Sequence, residues 1–107
     1  MPAHEHVSDL QFHYDNPYEG GSTKRHRILA KRGGEDVGQM IWTHRSIEEI
    51  GAMPRRQGIA TAMWQEGHRL AAENARIPKP KHSAQRTTEG DAWARSVGGP
   101  LPRRDRR

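Results

Sequence analysis

The stretch "HRILAKRGGEDVGQMIWT", residues 26–43, constrains the fold more than any other part of this chain. Residues 26–31 read as one strand and residues 37–43 as its return. Between them, 32–36 carry Gly33 and Gly34, which can take the positive φ that tight hairpin turns demand. A hairpin of this kind commits the chain to an antiparallel sheet. Such a sheet needs further strands and a cover for its apolar face.

Both are legible. "LQFHY", residues 10–14, alternates and supplies a strand before the hairpin. Residues 15–23 are turn chemistry, with Asn16 before Pro17 and then paired glycines. "SIEEIGA", residues 46–52, is a third consecutive strand, with Ile47 and Ile50 as its apolar contacts. A helix is expected over 57–75, where Ile59, Met63, Gly67, Leu70 and Ala71 share one face. Arg69 and Glu73 are four apart on its solvent side and pair there, worth about 0.3 kcal/mol. Pro78 is expected to end this helix. A second helix is expected over 87–97, with Ala92 and Trp93 facing inward. The order β-β-β-β-α-(short β)-α makes an α+β fold with a mainly antiparallel sheet, a long helix and a second, C-terminal helix. One domain spans residues 1–101, and 102–107 form a mobile basic tail.

Filling that fold is the difficulty. Leu, Ile, Val and Phe number fourteen of 107 residues, below the roughly 20% that marks ordinary globular chains. Trp42, Trp64 and Trp93 therefore read as core, not as platforms for stacking bases. A ligand or a second subunit helps to hold such a core, and a homodimer covering the sheet's C-terminal edge is expected. The chain has no cysteine, which excludes disulfides, thiolate nucleophiles and cysteine-ligated zinc. Residues 1–10 lack the apolar region of a secretory signal, and no apolar run approaches the roughly 18 residues of a membrane span. A cytoplasmic protein without a membrane partner is the expectation. "HEH" at 4–6, on a terminus expected to fray, makes a poor metal site. The net charge of +5 suits an anionic partner. Nucleic acid held through the tail "PRRDRR" is one reading of it.

A second reading comes from "RRQGIATAMW", residues 55–64. Here a strand exit, a short arginine-rich loop and a glycine open a helix. The first amides of a helix have no internal acceptor, and the helix dipole adds partial positive charge. Gly58 lets a ligand approach the backbone, and Arg55 and Arg56 add two charges. A phosphate or pyrophosphate fits; a plain helix start with solvated arginines is the alternative. No Lys-Ser/Thr pair follows the glycine and GxGxxG is absent, so neither a Walker A loop nor a dinucleotide fingerprint is present.

The pattern Arg55-x-x-Gly58-x-Ala60, after the strand "SIEEIGA" and before a long amphipathic helix, resembles motif A of the GNAT N-acetyltransferase superfamily. The hairpin 26–43 looks like the second and third strands of that family. The run "HSAQRTTEGDAWARSVGG" looks like the late segment of small acetyltransferase-like phage proteins. The resemblance covers roughly residues 26–99. It implies a truncated GNAT-like fold, and acetyl-coenzyme A as cosubstrate for transfer to an amine that the sequence does not identify. It further implies that Ile50, Gly51 and Ala52 hold the pantetheine arm, while Arg55, Arg56, Gln57, Gly58, Ile59, Ala60 and Thr61 receive the pyrophosphate. A glutamate on the motif-A strand is a frequent base in the family, and Glu49 is taken ahead of Glu48 on the expectation that the two face opposite ways. His82, after the long helix, is the other candidate base. Its alternative is a histidine bonded to loop backbone. Arg86 and Thr87 read as braces or caps of the last helix. The chain departs from the family in three respects. It lacks the first two helices, Ala52 replaces a frequent proline, and the tyrosine acid of the last helix is missing, with Trp93 nearest to it.

Overall fold

Gly33 and Gly34 make the hairpin as expected. Their φ values are 59° and 82°, so both central residues of a two-residue loop are left-handed, which is the type I′ geometry that matches strand twist. In this computed structural model, which describes residues 9–17, 24–52 and 58–104, the turn is tighter than the spacing suggests. The flanking strands run up to it on both sides: β2 is His26–Arg32 and β3 is Glu35–Trp42. With β1 (Gln11–Asp15) and β4 (Ile47–Ala52) they form one antiparallel sheet in the order β1-β2-β3-β4. The α+β class and the antiparallel sheet stand. "HEH" and the arginine-rich loop 53–57 lie outside the described residues.

Helix α1 (Ile59–Glu73) covers one face of the sheet. Tyr14, Ile28, Met40 and Ile50 form one cross-strand row on that face, and Phe12, Ala30, Gly38 and Ala52 form the next. Ile28, Ala30, Met40 and Trp42 are fully buried there, with Ile59 and Met63 of α1 closing over them. Trp42 and Trp64 lie within this core cluster and Trp93 packs against it, so rings and methionines supply the mass that branched aliphatics do not. The helix can approach closely because position 67 is glycine. A Cβ there would sit 2.6 Å from Cγ of Pro80 and 3.0 Å from Cε of Met40.

Pro78 does not end α1. The helix stops at Asn74, in extended conformation at φ −139°, and the Asn74 Oδ1 accepts from Arg76 N–H at 3.0 Å. Asparagine offers the backbone a local acceptor that competes with helix continuation, so the break precedes the proline by four residues. Nor does the following segment form a strand. Residues 78–83 join no ladder; Ile47 N–H donates to Lys81 O at 2.7 Å and Trp42 Nε1 to Pro78 O at 2.8 Å. Pro78 and Pro80 have no N–H to give a ladder.

Helix α2 (Thr88–Val97) is capped by Thr87, whose hydroxyl accepts from Gly90 N–H at 3.0 Å. Glu89 and Asp91 in its first turn favour the dipole. Its inward face is one step from expectation: Ala94 is fully buried, Trp93 is half-buried, and Ala92 is exposed. The start of the tail is tied down as well. Arg86 donates to Pro102 O at 2.9 Å, and Arg104 Nε donates to Arg86 O at 2.8 Å. Residues 105–107 lie outside the described residues.

Candidate functional site

The start of α1 is marked by a glycine. Gly58 sits at φ 74°, ψ 8°, in the left-handed region, with no side-chain cap on the helix and no acidic residue in its first turn. Only glycine enters that conformation without cost. The amides of the first turn lack intrahelical acceptors, and Ala62 N–H is the one that closes onto Gly58 O, at 2.9 Å. Ile59 turns its side chain into the core. Of the residues expected to receive a pyrophosphate, Gly58, Ile59, Ala60 and Thr61 form the N-cap and first turn of α1; Arg55, Arg56 and Gln57 lie outside the described residues. Gly51 and Ala52 end the edge strand β4, which leads into this loop.

Next to it runs a groove of about 290 Å³ between β4 and the segment 82–94. Glu48, Glu49 and Ile50 form one wall; His82, Arg86 and Trp93 are on the other. The helix mouth and the groove are joined by one hydrogen bond, from Trp93 Nε1–H to the Thr61 hydroxyl at 3.1 Å. Thr61 is thus a tie between α1 and α2, and the Trp93 indole is engaged.

The two glutamates do not take opposite faces. Trp42 pairs with Ile47 and Ile41 with Glu49, so Glu48 is an extra residue, a β-bulge. Bulges put neighbouring side chains out of strict alternation. This lets Ile47 and Ile50, three apart, both reach the core cluster, and it sends both carboxylates to the same groove and to a shallow depression over Ile41. Arg25 Nε donates to Glu48 at 2.7 Å and Gln39 Nε2 donates to Glu49 at 2.9 Å. Both glutamates are exposed, and each has acceptor capacity beyond its one partner.

His82 is almost fully buried, 3% exposed. Its ring lies flat on Trp64 with centroids 4.2 Å apart, and edge-on to Trp93. Nε2 is 2.8 Å from Gly98 O. A carbonyl only accepts, so Nε2 carries the proton of that bond. The bond to loop backbone is the alternative weighed from sequence, and it fixes the ring. Arg86 is the wall residue that sequence did not assign to the groove. Its side chain is 7% exposed and bonds Asp91 at 3.0 Å, and its guanidinium also donates to Ser83 O. The hydrogen bonds of Arg95 and Arg86 hold the Asp91 carboxyl below its usual range.

Sequence gave no sign of a second polar cluster, under the far end of the sheet. Tyr14 OH lies 2.6 Å from His26 Nδ1, and Asn16 Nδ2 donates to Arg25 O at 2.9 Å beside them. Burial pushes the His26 imidazole down, with the Lys24 charge adding, and burial pushes the Tyr14 phenol up. Near neutrality the phenol therefore donates to a neutral imidazole. Among the described residues, no group of three or more metal-ligating side chains occurs and no helix is long and apolar enough to cross a membrane. No family model matches this chain, and no curated protein or solved structure matches it.

Proposed function

We propose that the chain is an acetyl-coenzyme A-dependent N-acetyltransferase of GNAT type, truncated, with the pyrophosphate of the cosubstrate at the start of α1 and the acceptor amine in the adjoining groove. One observation carries this reading: a left-handed Gly58 opens an uncapped, acid-free helix start, one hydrogen bond from a groove walled by two carboxylates. The amides and dipole of α1 would hold the diphosphate. Glu49, with Glu48 beside it, would accept the proton that the ammonium must lose before nitrogen attacks the thioester carbonyl. The amine nitrogen bonds to the carbonyl carbon and sheds its second proton to solvent, the carbon–sulfur bond breaks, and coenzyme A leaves as thiolate. His82 is a positioning residue here, since its buried, stacked ring anchors the groove wall through Gly98 O. With the Trp93 indole bonded to Thr61, α2 provides no acid for the leaving thiolate, and solvent protonates it.

Calorimetric titration with acetyl-coenzyme A, followed by thiol release over a panel of amines, tests the proposal. Saturable binding with amine-dependent thiol release is expected. Binding without release from any amine would leave a cofactor-binding module in place of an enzyme. No binding at millimolar coenzyme A would remove the reading altogether.

A further inference from the structure

The end of the sheet farthest from Gly58 carries a different kind of site. The structure brings three separate segments together there. Lys24 lies two residues before β2, whose first residue His26 pairs with Trp42 at the end of β3. Arg45 lies in the turn 43–46, closed by Thr43 N–H to Ser46 O at 3.0 Å. Residues 76–81 pass alongside, held by Trp42 Nε1 on Pro78 O and by Ile47 N–H on Lys81 O. Lys24, Arg45, Arg76, Lys79 and Lys81 are all exposed, and none has an ion pair with another described residue. Elsewhere Arg27, Lys31, Arg69, Arg86 and Arg95 each hold a carboxylate. Two acids at this end are already engaged, Glu48 by Arg25 and Asp15 by Arg27.

The segment 78–83 has its own pattern. Lys79 and Lys81 are exposed while Pro80 and His82 are buried. This is the period-2 alternation of an extended chain, pre-ordered by two prolines. In an extended chain positions two apart share a side and lie about 6.6 Å apart along the backbone, which leaves Lys79 and Lys81 within reach of neighbouring phosphates of one strand. The only large hydrophobic side chain exposed among the described residues is Leu101, so none of the described residues at this end is an exposed apolar anchor for lipid.

We propose that this end of the sheet binds the phosphate backbone of nucleic acid, without reading sequence, through Lys24, Arg45, Arg76, Lys79 and Lys81. The surface is distinct from the α1 mouth and adjoins the other end of the proposed acceptor groove, where Lys81 precedes His82. It lies at the Ile47 end of β4, while the α1 mouth follows its Ala52 end, about 17 Å away over five extended steps. It also differs from the tail "PRRDRR", the basic feature that stands out in sequence.

Fluorescence anisotropy with a short labelled DNA duplex tests it on the full chain. Five phosphate contacts give a slope of log affinity against log salt of about −4.5, so affinity should fall about 500-fold between about 50 and 200 mM salt. The triple variant Arg45→Gln/Lys79→Gln/Lys81→Gln should bind at least about 100-fold more weakly at the lower salt and flatten the slope to about −1.8. Single Lys79→Gln and Lys81→Gln variants should each remove about 0.9 from the slope. These side chains hold no ion-pair partner among the described residues, so circular dichroism and the thermal midpoint should not change. The proposal is overturned by any of three results: the parent chain fails to bind the duplex at the lower salt; the triple variant keeps the parent's affinity and slope; or neutralising Arg103, Arg106 and Arg107 abolishes binding that the triple variant retains. Binding to phosphatidylserine vesicles but not to the duplex would also overturn it, in favour of a membrane surface.

Discussion

Gly58 offers the sharpest test of the helix-mouth site, because backbone strain and ligand electrostatics act there through one residue and can be separated. At φ 74° a residue with a Cβ loses about 1–2 kcal/mol relative to glycine, and the more restricted unfolded chain returns about 0.4–1 kcal/mol of that. Gly58→Gln and Gly58→Glu should therefore both be less stable by about 1 kcal/mol, a fall of roughly 4–8 °C in the thermal midpoint. They share shape and strain and differ by one charge. Against a phosphate about 6 Å away that charge is worth about 0.7 kcal/mol at the dielectric of water and about 3 kcal/mol at an effective value of 20. Gly58→Glu should thus bind coenzyme A about 3- to 150-fold more weakly than Gly58→Gln, which itself should be weaker than the parent chain because its side chain crowds the amides. Calorimetry well below the midpoint of each variant reads the difference. Equal binding by Gly58→Gln, Gly58→Glu and the parent would mean that no phosphate approaches α1 at Gly58. An unchanged midpoint would mean that the left-handed conformation is not the native one.

Three further outcomes are expected. Thr87→Ala removes the α2 cap seen in the Gly90 N–H bond and should cost about 1 kcal/mol, read as a lower midpoint in urea without a change in slope. His26 has its imidazole pushed below the ordinary 6.5 by burial and then by Lys24, so the unfolded chain binds the proton more readily. Stability is therefore complete above about pH 6.5 and declines as pH falls from there through the lowered folded value; His26→Gln should flatten the thermal midpoint over that window. Asp15, held down by its bond to Arg27, loses its contribution only below the ordinary carboxyl range, so it does not confuse that measurement. The edge strand β4 and the small aliphatic core favour a homodimer, and a monomeric mass by light scattering at tens of micromolar would refute it.

What sequence revealed and what it hid divide along a physical line. The hairpin was legible because Gly33 and Gly34 encode their turn locally, and α1 because Ile59, Met63 and Gly67 repeat at its period. The bulge at Glu48 was not, since a bulge is a relation between two strands. Its one trace in β4 is the spacing of Ile47 and Ile50, three apart where strict alternation requires an even number. Reading that spacing as a bulge would have put both glutamates in one groove. The inward face of α2 was missed by one residue because Ala92, Trp93 and Ala94 are contiguous. Their phase is decided outside the helix, where the Trp93 indole meets Thr61.

That last contact bears on how the groove is held. The wall opposite β4 is anchored by few apolar side chains of its own: Ala94 is its buried member in α2. The rest of its anchorage is directional. His82 is stacked on Trp64 and bonded to Gly98 O, Trp93 is bonded to Thr61, and Arg86 joins Asp91, Ser83 and Pro102. Apolar packing resists separation but tolerates sliding, whereas hydrogen bonds and stacked rings fix angle and register. A chain poor in branched aliphatics thus positions its groove wall by polar geometry. Losing one of these bonds should shift the distance between that wall and Glu48–Glu49 before it unfolds the sheet, because the core of Ile28, Met40, Trp42, Ile59 and Met63 is built without them.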